Sequence, residues 1–351
     1  MTTGGRRSRH DHPSPRRHPI RHHHPSPHPH PPRVLVTGGE GQVGQELQRL
    51  LRQRSIPCDA PGHSELDVTD AGQVRRFLSE AGIVIHAAAW TDVDGCERDP
   101  DRARRVNADA TARLARLCAE RGTFLVYLST DFVFDGTKRT PYEPDDPPNP
   151  LSAYGQSKYE GEEAVRQAGG PFAIARTSWV YSVFGRNFPK SILRAAAARR
   201  HGEASGPLRV VDDQVGSPTH AGDLAQAVLQ LVGLGKEAPE PGGQPPEHRW
   251  EVSGRGGPAP TFSPSSGTYH VANAGQCSWY AFAREILRQA GWDVPVEPLT
   301  SAELGRPAPR PAYSVLSLQR LEASGIRMRP WQEALGRFLE ELRAREPELF
   351  P

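Results

Sequence analysis

Tyr154 and Lys158 stand four residues apart in the run Tyr-Gly-Gln-Ser-Lys. On a helix that spacing puts both side chains on one face, roughly 6 Å apart. A free phenol titrates at about pH 10, too high for acid–base work near neutrality. A neighbouring ammonium stabilises the phenolate, so the lysine is expected to draw the tyrosine pKa down toward the working range. Lys158 is also long enough to reach the ribose hydroxyls of a nicotinamide nucleotide. Thr130, in Ser129-Thr130-Asp131, brings a third hydroxyl to the tyrosine or to a substrate oxygen. The pattern YxxxK by itself also describes a solvated helical pair; its meaning comes from what precedes it.

What precedes it is Thr37-Gly-Gly-Glu-Gly-Gln-Val-Gly44, between an apolar strand-like run and a helical pattern. Gly38 permits a tight turn, Gly41 lets backbone approach a pyrophosphate, and Gly44 lets helix and strand pack closely. The helix N-terminus offers free N–H groups and partial positive charge to the phosphates. Gln42 and Val43 fall inside this cradle. Asp67, in Leu66-Asp67-Val68, is placed to accept from an adenine amino group while Val68 covers the ring. Asp67 and Asp70 both precede a helical pattern, so a helix cap is the other reading of Asp67. Ala87, Ala88 and Ala89 end a further apolar run with small residues where a cofactor can lie close.

These groups need a scaffold, and the chain supplies strands alternating with helices. Strand patterns cover Arg33–Thr37, Ile83–Ala87, Phe124–Leu128 and Phe172–Arg176; helical patterns follow Gly44, precede Ile83, and cover Ala103–Arg121 and Ser157–Ala168. This period implies βαβ units and a parallel sheet covered on both faces. The expected architecture is a Rossmann-type doubly wound α/β domain over 33–176. A smaller α/β substrate-binding domain, partly interleaved with it, is expected over 177–345. In the second half, helices are expected near 189–200, 221–233, 278–290 and 331–345, with strands at Leu208–Val211 and Tyr269–Ala272.

Two segments skew the composition. Residues 1–32 hold eight His and eight Pro without apolar periodicity, and read as a disordered tail. Residues 236–267 hold seven Pro and six Gly and read as a flexible insertion. The overall charge of +2 is local too. Six of the 43 Lys and Arg but only one of the 41 Asp and Glu lie in the tail, which leaves −3 elsewhere. A mildly acidic body argues against nucleic acid as partner. No apolar run reaches the roughly 18 residues that span a bilayer. Cys58, Cys96, Cys118 and Cys277 form no CxxC pair, so no zinc site is expected and a reducing, cytoplasmic setting is.

Taken together, VTGGEGQVGQEL, HAAAWTDVDGCE, LSTDFVFDGT, NPLSAYGQSKYEGE, RTSWVYS and DDQVGSPTHAGDLA resemble the dTDP-4-dehydrorhamnose reductase family of extended short-chain dehydrogenase/reductases. The likeness runs from about Arg33 to Leu342, interrupted by the insertion. The GxxGxxG spacing of the glycine loop is the variant typical of those enzymes.

The resemblance implies NADPH or NADH as cofactor and reduction of a dTDP-4-keto-6-deoxyhexose at C4. It implies Tyr154 as proton donor, Lys158 as ribose contact and pKa modifier, and Thr130 as the group that tunes the tyrosine. Thr130, Asp131 and Trp179 would face the sugar nucleotide. Gly38, Gly41, Gln42, Val43, Gly44, Asp67, Val68, Ala87, Ala88 and Ala89, with Tyr154 and Lys158, would line the cofactor, and a homodimer is the family expectation.

Two departures stand out. The family's RPxNSxLD-like segment is here Arg310-Pro-Ala-Tyr-Ser-Val-Leu-Ser317, with Tyr313 and Ser317 changed. Some members bind magnesium through three glutamates; Glu46 and Glu341 match two, but Gly222 stands at the third, so no metal is expected. The open alternatives are a 4-ketoreductase for another dTDP-deoxysugar, and a non-catalytic regulatory subunit like that of methionine adenosyltransferase. The RTSWVYS segment favours the reductase.

Overall fold

The computed structural model describes residues 1–2, 32–234 and 266–351. The expected tail and nearly all of the expected insertion fall outside the described residues. Met1–His30 and Pro31–Pro351 separate as two units, and the second holds the fold.

Five parallel strands come from the first half of the chain: β1 Val34–Thr37, β2 Cys58–Asp59, β3 Ile83–His86, β4 Phe124–Thr130 and β5 Phe172–Thr177. A sixth, Gly267–His270, pairs parallel to β5. Gly267, placed in the insertion on composition, thus opens a strand. The order is Gly267–His270, β5, β4, β3, β1, β2, so the chain starts one strand in from an edge, adds β2 outside it, and winds the later strands away on the other side. Between these strands run α1 Gln42–Gln53, α2 Ala71–Leu78, α3 Val93–Arg98, α4 Pro100–Arg104, α5 Ala110–Arg121 and α6 Ala153–Gln167.

Alternate side chains leave opposite faces of a strand, and both faces here are buried. Val34, Val36, Ile85 and Val126 pack with Leu47 and Leu51 of α1 and with Leu224 and Val228 of the helix Ala221–Leu231. Leu35, Val84, Leu125 and Ile174 pack on the other side with Leu114 of α5, Val74 of α2 and Val165 of α6. Each such side chain contributes about 1.5–3 kcal/mol when fully buried.

The helices Phe188–Arg200, Trp279–Ala290 and Trp331–Arg345 enclose a second core around Tyr181, Leu193, Phe282, Trp331 and Phe338. Short ladders tie this region together, among them Val215–Gly216 antiparallel to Cys277–Ser278.

Two helices differ from the sequence pattern. The expected continuous helix Ala103–Arg121 is broken by a π-helical turn at Arg105–Asp109. Its cause is Asn107, which is buried and cannot leave its amide unpaired. Asn107 accepts from Trp90 N (2.8 Å) and donates to Trp90 O (3.1 Å) and Ser157 Oγ (3.0 Å). The helix expected from Ser157 begins four residues earlier, at Ala153, because Ser152 caps it by accepting from Gly155 N at 3.2 Å.

Candidate active site

The C-terminal ends of the central strands open into a cavity of about 430 Å³. The ends of β1, β3 and β4, the starts of α1 and α6, and the segment from Thr177, the last residue of β5, to Val180 line it. The structure brings Gly38, Gly41, Gln42, Val43, Gly44, Ala87, Ala89, Thr130, Asp131, Tyr154, Lys158 and Trp179 to this one cavity. A second cavity of about 330 Å³ takes Asp67, Val68 and Ala88, and shares Gly38, Gly41, Ala87 and Ala89 with the first.

The glycine loop is fixed by contact. Gly38 has φ +72°, and a Cβ there would lie 2.8 Å from Ala88 N. At Gly44 a Cβ would lie 2.2 Å from Gly38 O, so only glycine fits. Gly41 caps α1 without any side-chain hydrogen bond, and the first turn carries no acidic residue. The leading amides of α1 are thus unclaimed by side chains and face the shared cavity, which fits a dinucleotide pyrophosphate. Helix capping falls to Asp70, which accepts from Gly72 N and Gln73 N. Asp67 instead accepts from Thr69 N and Oγ1, both at 2.8 Å, at the rim of the second cavity.

Lys158 is 3% exposed. Its Nζ donates to Leu128 O at 2.7 Å and lies 4.1 Å from the Tyr127 ring centroid. Burial brings its pKa down to about 7, partly opposed by Glu162 one turn on. Tyr154, half-buried on the cavity wall, is pushed above the ordinary phenol range, first by desolvation and next by the charge of Asp131, while a hydrogen bond with Thr130 acts the other way. The expected lowering of the tyrosine pKa by Lys158 is not seen: the ammonium is turned toward the Leu128 carbonyl, and desolvation dominates at the phenol.

The dyad rests on a buried ion pair. Glu162 accepts from Arg176 Nε (2.8 Å) and Nη2 (2.7 Å) and from Ser129 Oγ (2.6 Å), with Glu162 and Arg176 at 0% and 1% exposure. Beside it His86 bridges Thr37 Oγ1 (2.7 Å) and Thr111 Oγ1 (3.1 Å), and burial drops its pKa to about 3.

Trp179 adopts φ +47°, a strained value for a bulky residue. It stacks on Trp279 with ring centroids 3.6 Å apart and planes at 11°. Gly216 closes behind it, where a Cβ would lie 2.6 Å from the indole.

Sequence reasoning passed over Asn107, Trp279, Gly216 and Ser314. Asn107 alone left a signal, an amide within an Ala/Leu/Arg helical run.

The residues matching the magnesium positions do not fit a metal. Arg49 Nη2 lies 2.6 Å from buried Glu46, and Arg49 Nη1 lies 3.2 Å from Glu341. Arg345 Nη2 also lies 2.8 Å from Glu341, so the two guanidiniums together balance the two carboxylates. Among the described residues no cluster of three His, Cys, Asp or Glu side chains is arranged to hold a metal.

The family described as RmlD substrate binding domain matches residues 32–244 and 258–344. The spore coat polysaccharide biosynthesis protein SpsK of Bacillus subtilis (strain 168) is 38% identical over 88% of this chain and 97% of its own length. A dTDP-4-dehydrorhamnose reductase of Streptomyces griseus is 39% identical over 87% of this chain and 92% of its own. The crystal structure of dTDP-4-dehydrorhamnose reductase from Bacillus anthracis str. Ames in complex with NADP superposes with a TM-score of 0.76. It shares 34% identity, over 89% of this chain and 99% of that one. With the glycine cradle, the Tyr154–Lys158 dyad and this likeness along nearly the whole folded unit, the chain belongs to the RmlD substrate-binding-domain family.

Proposed function

We propose that the protein reduces the C4 keto group of a dTDP-4-keto-6-deoxy-L-hexose, most simply dTDP-4-dehydro-β-L-rhamnose to dTDP-L-rhamnose, with NADPH or NADH. The observation that carries this reading is one cavity holding the glycine cradle, Tyr154, Lys158, Thr130 and Trp179 together. The nicotinamide cofactor, when bound, supplies the hydride.

The chain's own residues do the rest. Gly38, Gly41 and the leading amides of α1, with Gln42 and Val43, hold the pyrophosphate. Ala87 and Ala89 leave room along the cradle, and Asp67, Val68 and Ala88 line the adenine end. Tyr154, a phenol protonated at neutral pH and lining the cavity, is the donor to the C4 oxygen. Lys158 orients the nicotinamide ribose, and Thr130 fixes the tyrosine hydroxyl. Asp131 and Trp179 face the sugar. The same chemistry on another dTDP-4-keto sugar is the second reading, favoured by Tyr313 and Ser317 in the C-terminal segment.

The division into a dinucleotide-binding part over 33–176 and a mainly substrate-binding part over 177–345 belongs to this proposal. So do a homodimer, read by light scattering, and a cytoplasmic location, which suits four free cysteines.

The test supplies freshly generated dTDP-4-dehydrorhamnose and follows NADPH loss. Turnover that collapses in Tyr154→Phe supports the reading. Absence of turnover with any dTDP-4-keto sugar, together with tight binding to a separate enzyme, would replace it with the regulatory one.

A further inference from the structure

Glu40 and His63 line the second cavity, which holds glycines of the cradle as well as Asp67 and Val68. A dinucleotide spanning those two ends would lay its adenosine ribose between them. In folds of this kind an acidic side chain reached from the end of the second strand takes a free ribose 2′-hydroxyl, whereas an arginine accommodates a 2′-phosphate. Asp59, the last residue of β2, is committed elsewhere. Arg33 clasps its carboxylate, with Nη2 donating to Oδ1 at 2.7 Å, and Asp59 does not line this cavity.

The carboxylate on this wall comes instead from the glycine loop. Gly39 N donates to Pro61 O at 3.2 Å, and a Cβ on Gly39 would lie 2.1 Å from Ala60 O. The loop therefore presses directly on the chain that follows β2. Gln45 Nε2 donates to Glu40 O at 2.8 Å and holds the backbone there. The Glu40 side chain lies over Gly62, where a Cβ would meet Oε1 at 2.3 Å, and its Oε2 accepts from His63 N at 3.3 Å. Glycine at 62 leaves the space that the carboxylate fills. Residues 62 and 63 lead to Asp67, so the carboxylate stands between the pyrophosphate and adenine ends.

The same wall offers little to a 2′-phosphate. No lysine lines the cavity, and its one arginine, Arg102, has its guanidinium over Trp90, 4.4 Å from the ring centroid. His63, the other basic residue of the lining, adjoins Glu40 through its own N–H. Glu65 adds a further carboxylate beside the turn, accepting from Gly62 N at 3.1 Å.

We propose that Glu40 selects the dinucleotide, accepting from a free 2′-hydroxyl of the adenosine ribose and repelling a 2′-phosphate, so that the protein prefers NADH to NADPH. This rests on the nicotinamide-cofactor reading above. Esterifying the 2′-hydroxyl removes the donor that Glu40 would accept from and sets like charges side by side. Glu40 is exposed, so the repulsion is partly screened and NADPH remains usable at higher concentration.

The test is fluorescence titration of the wild-type protein with NADH and with NADPH, which needs no sugar substrate. NADH should bind tighter by roughly tenfold to a hundredfold. Adenosine monophosphate should displace it better than adenosine 2′,5′-bisphosphate, which places the preference at the ribose. Glu40→Gln keeps the shape without the charge and should bring the two affinities within about threefold of each other. Glu40→Lys should reverse the order. Gly62→Ala, which displaces the carboxylate without removing it, should narrow the preference with a smaller change. The KM ratio of the two cofactors should follow the affinities in each variant, with kcat little altered.

A wild-type protein that binds NADPH as well as NADH, or better, overturns the proposal. So does a Glu40→Gln variant that folds with the wild-type Tm and keeps the wild-type ratio. If NADPH is preferred and Arg102→Ala abolishes that preference, Arg102 is the selecting residue and Glu40 is not. Absence of binding by either dinucleotide overturns the cofactor reading itself, and the role of Glu40 with it.

Discussion

Residues Gly38 to Gly44 build one side of the cavity in seven consecutive positions, all set by a strand, a turn and a helix start. Elsewhere the lining takes Trp179 and Trp279, with Gly216 behind the Trp179 indole, from three separate segments of the second half of the chain. On the first side Gly44 is fixed against Gly38 within the loop itself, and Gly38 against Ala88 just past β3. On the second, Trp179 sits at a strained φ of +47° and keeps it because Trp279 stacks on one face and Gly216 leaves no space behind. Such backbone strain costs about 1–3 kcal/mol and persists only when surrounding structure over-determines it. On the proposed function, cofactor binding falls to the local side and substrate selection to the assembled side.

The sharpest attempt to break that division is Tyr154→Phe. It should lower kcat by about 10²–10⁴-fold and leave NADP(H) affinity, read by fluorescence titration, unchanged. A large loss of cofactor binding would show that the dyad and the cradle are not separable.

Glu162→Gln tests the foundation of the local side. It leaves Arg176 buried without its charge partner and should cost about 3–5 kcal/mol in denaturant unfolding. A loss below 1 kcal/mol would remove the ion pair from the account.

A paired substitution addresses the contrast directly. Gly44→Ala meets the Gly38 carbonyl and should destabilise by about 1–3 kcal/mol while weakening NADP(H) binding. Gly216→Ala meets the Trp179 indole instead, and should raise substrate KM with cofactor affinity intact. Equal effects of both on cofactor binding would erase the distinction between the two sides.

The smallest expected effect is none: magnesium or a chelator should leave activity and Tm unchanged, because Arg49 and Arg345 already balance Glu46 and Glu341. A magnesium-dependent rise in Tm would contradict that.

The sheet was legible because apolar runs such as Val34–Val36 and Ile83–Ile85 are buried on both faces, leaving β-branched residues without polar interruption. The helix through Ala103–Arg121 was legible only in outline. Its π turn depends on Asn107 meeting Trp90 and Ser157, residues 17 and 50 positions away. The site divides in the same manner. Every cofactor position singled out from motifs lines one of the two adjoining cavities, since those motifs are short and their spacing encodes their geometry. Ser314 and Trp279 carry no such spacing, and only folding reveals what they touch.

The Tyr–Lys pair also marks where sequence inference stops. Spacing along a helix determined that both side chains lie on one face, because 3.6 residues per turn is a property of the backbone. It did not determine their protonation. Tertiary structure decided that, by burying Lys158 against the Leu128 carbonyl, desolvating Tyr154, and holding Asp131 near it with Ser314 as its partner. Charge states depend on everything within a few ångströms, and those neighbours come from β4, α6 and a segment more than 150 residues further along the chain.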